Sequence, residues 1–260
     1  MICSQRYMAK CSKLLLLTLG LQFLGIFIPY ILVLKRNIFD PPLPFISQTT
    51  GFSPECGVFA FLLIPASFLG LILASIIHSV NNFDEIKNLK IVKQISSSFL
   101  HLYYFSWILI CGTPITYTDL PNKYEWVVTV LILHMVGALL MLCSVIAFNI
   151  SQGILSWNNE ALEESNQYRK LLALFTGISA FIGIIALVQV GIEELSFTDG
   201  IYWKDTIYIL PTRLSFAYII TTMCEWTLIV SNWLMLMTFY DQLARTELRL
   251  VIRRQPRKDH

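Results

Sequence analysis

Residues 14–34 read LLLLTLGLQFLGIFIPYILVL, an uncharged stretch that decides the class of this chain. A helix needs about 20 apolar residues to cross a hydrocarbon core about 30 Å thick, and this stretch has that length. It is longer than a signal-peptide core and no small-residue cleavage site follows, so it reads as a retained span. Comparable stretches follow at Gly57–Ile77, Ser97–Thr116, Trp126–Phe148, Leu171–Gly191 and Leu214–Phe239. Lipid offers the backbone no hydrogen-bond partner, so each is predicted to be helical. Composition agrees, at 55% hydrophobic and only 14% charged residues. The expected fold is an all-α membrane protein, a six-transmembrane-helix bundle. Residues 1–260 form one membrane domain, and 241–260 serve as a basic tail.

Charge between the spans gives an expected orientation. Arg6, Lys10 and Lys13 precede the first span, and Lys87, Lys90 and Lys93 fall in the second loop. Arg169 and Lys170 lie in the fourth, and Arg245, Arg249, Arg253, Arg254, Arg257 and Lys258 follow the sixth span. The opposite side holds only Lys35, Arg36, Lys123, Lys204 and Arg213 of the 19 basic residues. By the positive-inside rule both termini are expected in the cytosol. The tail residues Arg249, Arg253, Arg254, Arg257 and Lys258 could also meet anionic lipid headgroups, at about 1 kcal/mol each near the surface. The plainer alternative is that they only fix topology. No basic soluble domain or nucleic-acid motif is present, so nucleic acid is not an expected partner.

The cysteines form no C-x-x-C pair and the four histidines are scattered, so no metal site and no cofactor is expected. Cys56 and Cys111 fall near the same membrane face and could pair there. The acceptor triplet Asn149-Ile150-Ser151 is read at the cytosolic end of span four, where glycosylation does not occur. Ala173-x-x-x-Gly177 and Ser179-x-x-x-Gly183 predict close helix approach in span five. Tyr240-Asp241-Gln242-Leu243 matches a tyrosine-based sorting pattern, against which stands an ordinary interfacial tyrosine.

Two residues break the apolar pattern at a cost. Glu225, within Cys224-Glu225-Trp226, is read near the bilayer centre, where an ionised carboxylate costs roughly 2.5–3.5 kcal/mol and must face the bundle. His134 in span four is read at a similar depth, so a contact between the two is allowed. They are weighed as packing glue, as a lipid-headgroup or ion site, and as a proton relay. The first loop runs DPPLPFISQTTGFSPEC over residues 40–56. Its prolines and glycine restrict the backbone, which predicts order. Pro54 suits a first helical turn and Glu55 complements the positive end of the helix dipole. The loop is thus either a cap for span two or a lumenal recognition surface.

Pro41-x-x-Pro44-Phe45-Ile46-Ser47, then Gly51, Pro54-Glu55 and Phe59, join His134-x-x-Gly137-Ala138 and Cys224-Glu225-Trp226. With the six spans, this pattern resembles the Frag1/DRAM/Sfk1 family over nearly the whole chain. The short first loop is most similar to the branch of damage-regulated autophagy modulators. Gln48 departs from the aspartate common after Ile-Ser, and Ile110-Cys111-Gly112-Thr113 replaces an Asn-Phe-Gln element. The resemblance implies a lysosomal, endosomal or plasma-membrane protein that modulates autophagy or membrane-lipid organisation. Its implied partners are membrane lipids and other membrane or autophagy proteins. No hydrolase or acyltransferase motif is present, so a non-enzymatic role is expected. Lipid remodelling of the GPI-anchor type in Golgi or endoplasmic reticulum is the main alternative, and a small transporter or channel subunit the lesser one.

Overall fold

The computed structural model describes residues 6–36, 44–51, 53–83, 89–113, 123–158, 163–197 and 216–251. Its long helices are α1 (Cys11–Lys35), α3 (Glu55–Phe83), α4 (Lys90–Gly112), α5 (Lys123–Trp157), α6 (Glu163–Phe197) and α7 (Phe216–Met237). Each is long and apolar enough to cross a membrane, and each contains most of one predicted span. Two short helices accompany them, α2 (Ile46–Thr49) in the first loop and α8 (Tyr240–Ala244) beyond α7.

The helices pack in chain order, each on the next from α1 through α3, α4, α5 and α6 to α7. A sparser contact between α1 and α7 closes the ring. Bulky apolar side chains cover the outside, among them Phe61 on α3 and Phe181 on α6. In lipid this costs nothing, so polar side chains gather inside instead: Gln22, Asn149, Gln152 and Asn232 are all buried. Small residues set the helix approach. A Cβ on Gly70 of α3 would overlap the ring of Tyr104 on α4. On α6, Ala173 packs against Gly153 and Gly183 against Cys224, whereas Gly177 faces open space. The small-residue pattern read in span five therefore marks two separate contacts, one with α5 and one with α7.

Three features go beyond the sequence reading. Span four was expected to stop at Phe148, yet α5 continues to Trp157. Asn149 is consequently an interior residue, donating to Thr176 Oγ1 at 3.0 Å and Ser231 Oγ at 3.3 Å. Gln152 donates to Ser96 Oγ at 2.6 Å. Cys56 and Cys111 are both free thiols. Finally, the termini are not simple tails: β1 (Arg6–Lys10) and β2 (Glu247–Val251) form an antiparallel pair, with Arg6 opposite Val251 and Lys10 opposite Glu247.

Candidate functional site

The first loop folds back onto α7. Phe45 precedes α2, and its N–H donates to Gln48 Oε1 at 3.0 Å, a side chain closing the first turn from within. Ile46, 3% exposed, enters the core and gives its N–H to Glu225 Oε2 at 3.0 Å. Pro44 is buried, and its carbonyl accepts the Trp226 Nε1–H at 3.1 Å. Tyr218 donates its hydroxyl to Gln48 Oε1 and meets the Phe45 ring edge-on, with centroids 5.2 Å apart. The carbonyl of Ser47 accepts both the N–H and the hydroxyl of Thr50. Gly51, also buried, closes the turn on the Gln48 carbonyl. Trp226 is held on its other side by the edges of Phe27 and Tyr30 of α1.

A second clamp fixes the start of α3. Pro54 immediately precedes the helix, and its carbonyl closes the first turn by accepting the N–H groups of Gly57 and Val58. Glu55 opens the helix. Arg36, at the end of α1, gives one Nη1 to both Glu55 oxygens at 2.8 Å and to the Ser53 carbonyl at 2.9 Å. The carboxylate is fully buried while the guanidinium is 47% exposed. Glu55 therefore serves two partners, the helix dipole and the arginine.

Glu225 and His134 do not bond to one another. Glu225 takes the loop backbone, whereas His134 Nδ1 lies 2.9 Å from the Thr113 carbonyl at the end of α4. The histidine is 2% exposed, and its Nε2 has no hydrogen-bond partner among the described residues. Similar depth in two spans that run in the same direction allowed the contact, but Glu225 turns to the first loop and His134 to the end of α4. Cys224 is buried against Gly183.

Other sequence features fall as follows. Leu243 is fully buried and Gln242 accepts from Arg169 Nη2 at 3.2 Å. The Tyr240–Leu243 segment packs against α1 and is tied to α6 through Gln242, so the motif's leucine is buried while Tyr240 stays exposed. Arg249 lies in β2 opposite Met8. Pro41, Arg253, Arg254, Arg257 and Lys258 lie outside the described residues. Among the described residues no group of three His, Cys, Asp or Glu side chains could hold a metal ion.

Sequence reasoning missed Arg36, Gln48 and Tyr218 as members of the site. Gln48 was read only as a departure from a pattern and Arg36 only as a charge. Tyr218 had a usable signal, since it lies seven positions before Glu225 and so shares its helix face.

A family model described as Frag1/DRAM/Sfk1/Cwh43P N-terminal domain matches residues 11–245. Neither the curated proteins nor the solved structures contain a match.

Proposed function

This chain belongs to the Frag1/DRAM/Sfk1/Cwh43P family, and from that premise we propose a non-enzymatic protein of lysosomal or endosomal membranes, of the DRAM kind, that modulates autophagy or membrane-lipid organisation. The observation that carries this reading is how the polar groups of the site are used. Glu225, Trp226, Gln48 and Tyr218 all spend hydrogen bonds on holding the first loop. A general acid or base must reach a reacting group at about 2.6–3.2 Å, and here one Glu225 oxygen is taken up by the Ile46 N–H and the Tyr218 hydroxyl by Gln48. Such a site holds a shape. Its partners are membrane lipids and other membrane proteins, met by the ordered loop on one face and the apolar helix surfaces around the bundle.

Deletion of the gene in starved cells, followed by measurement of autophagic flux, tests the reading. Flux falls and re-expression restores it, with the endogenous protein coincident with lysosomal markers. Unchanged flux overturns it, as does Golgi or endoplasmic reticulum residence with altered GPI-anchor lipids.

A further inference from the structure

Five polar atoms at the centre of the bundle are left without partners. Gln22 of α1 and Tyr103 of α4 are fully buried, and Trp107 of α4 and Asn232 of α7 are each 1% exposed. Among the described residues, Gln22 Nε2, Tyr103 Oη, Trp107 Nε1 and both polar side-chain atoms of Asn232 make no hydrogen bond. These atoms belong to one cluster. The Tyr103 hydroxyl lies beside Trp107, Asn232, Gln22 and Trp233. Trp233 Nε1–H donates to Gln22 Oε1 at 3.2 Å, and the Tyr103 and Trp107 ring centroids are 6.2 Å apart. The groups converge from three helices, close to the Tyr103 hydroxyl, but apart from the Trp233–Gln22 bond none of them reaches full bonding geometry among the described residues. Buried polar groups in proteins are nearly always satisfied, so five exceptions in one place point to a guest that satisfies them.

The cluster specifies the chemistry of that guest. All its members are uncharged, so an ionic headgroup would be buried without a counter-charge at high cost. Gln22, Trp107 and the Asn232 amide need oxygen lone pairs, Asn232 Oδ1 needs a proton, and Tyr103 can give or take. A hydroxyl offers two lone pairs and one proton, enough to engage three of the five atoms at once. The way in is also marked. The seam between α1 and α7 is the sparsest in the ring and is filled by aromatic rings. Phe23 stacks on Phe27 with centroids 4.3 Å apart, and Trp233 lies 6.0 Å from Phe23. Phe23 is 47% exposed, follows Gln22 in the chain and contacts the ring of the bond's other partner, Trp233. Flat rings at an entrance favour a flat apolar body.

We infer that this site binds a sterol-like lipid, with its hydroxyl among Gln22, Tyr103, Trp107 and Asn232 and its fused rings against Phe23 and Trp233. The site is independent of the loop clamp and of any role in autophagy.

The full-length protein in phosphatidylcholine liposomes, irradiated with a clickable diazirine cholesterol probe and mapped by peptide mass spectrometry, tests this. Label concentrates on α1 and α7 around Phe23 and Trp233, and excess cholesterol displaces it. The 3-keto analogue keeps the rings but cannot donate, and competes about 3–10-fold less well, the scale of one neutral hydrogen bond. Asn232→Leu weakens capture by a similar factor. Phe23→Ala does the same from the exposed mouth, so the test survives if the Asn232 variant misfolds. Label spread over lipid-facing helices such as α6 and unchanged in either variant overturns the proposal, and the cluster is then a hydrated structural network. Displacement by dioleoylglycerol but not by cholesterol overturns the sterol assignment.

Discussion

Helix α7 carries two polar clusters about two turns apart on one face, and they are built on opposite principles. At Glu225 and Trp226 each polar group meets a partner from a loop distant in sequence. At Asn232 neither polar atom of the side chain finds one among the described residues. In lipid an unmet hydrogen bond cannot be handed to water, so this difference separates two jobs. A satisfied cluster positions the chain, and an unsatisfied one waits for something that is not the chain.

The largest break in this comparison comes from Trp226→Ala. It removes a nearly buried indole that contacts α1 on one side and the Pro44 carbonyl on the other. A loss of about 3–5 kcal/mol is expected, read as a lower thermal midpoint in detergent. Glu225→Ala comes next, at about 1–3 kcal/mol, because the Ile46 N–H then loses its acceptor. Glu225→Gln retains an acceptor oxygen and should recover most of that loss. Equal damage by both substitutions would mean that the charge, not the hydrogen bond, matters. The smallest effect belongs to Asn232→Leu combined with Gln22→Leu in lipid-free detergent, expected within about 0.5 kcal/mol of the parent or above it. Apolar side chains of similar size replace groups that were buried without partners there. A loss comparable to that of Glu225→Ala would erase the distinction between the clusters.

The six spans were legible because length and apolarity alone define them in a membrane. Their ends were less so. Asn149, Ser151 and Gln152 looked like the polar margin of span four, and only the packing of α4, α6 and α7 reveals them as interior. Glu225 was read as facing the bundle and needing a partner there. The partner proved to be a backbone N–H 179 positions away, which has no side-chain signature in the sequence. His134 illustrates the same limit, because equal depth says nothing about direction around a helix. The central cluster was invisible for another reason. Single Gln, Tyr, Trp and Asn residues are tolerated in spans, and only their convergence in space makes them unusual.

The pairing of β1 with β2 bears on how the protein is made. Arg6–Lys10 leaves the ribosome before any of the six spans, and its partner Glu247–Val251 only after all of them. The strand pair therefore cannot form during most of synthesis, and neither can the contact between α1 and α7, the first span and the last. Closing a loop of this length carries an entropic cost that grows only slowly with the number of residues, so the delay is one of timing more than of energy. Until then the bundle is an open arc, with Gln22 already in the membrane and Asn232 yet to arrive. The lipid-facing edge of α1 is uncovered throughout that interval, and any chaperone or lipid that attends assembly would meet the protein there.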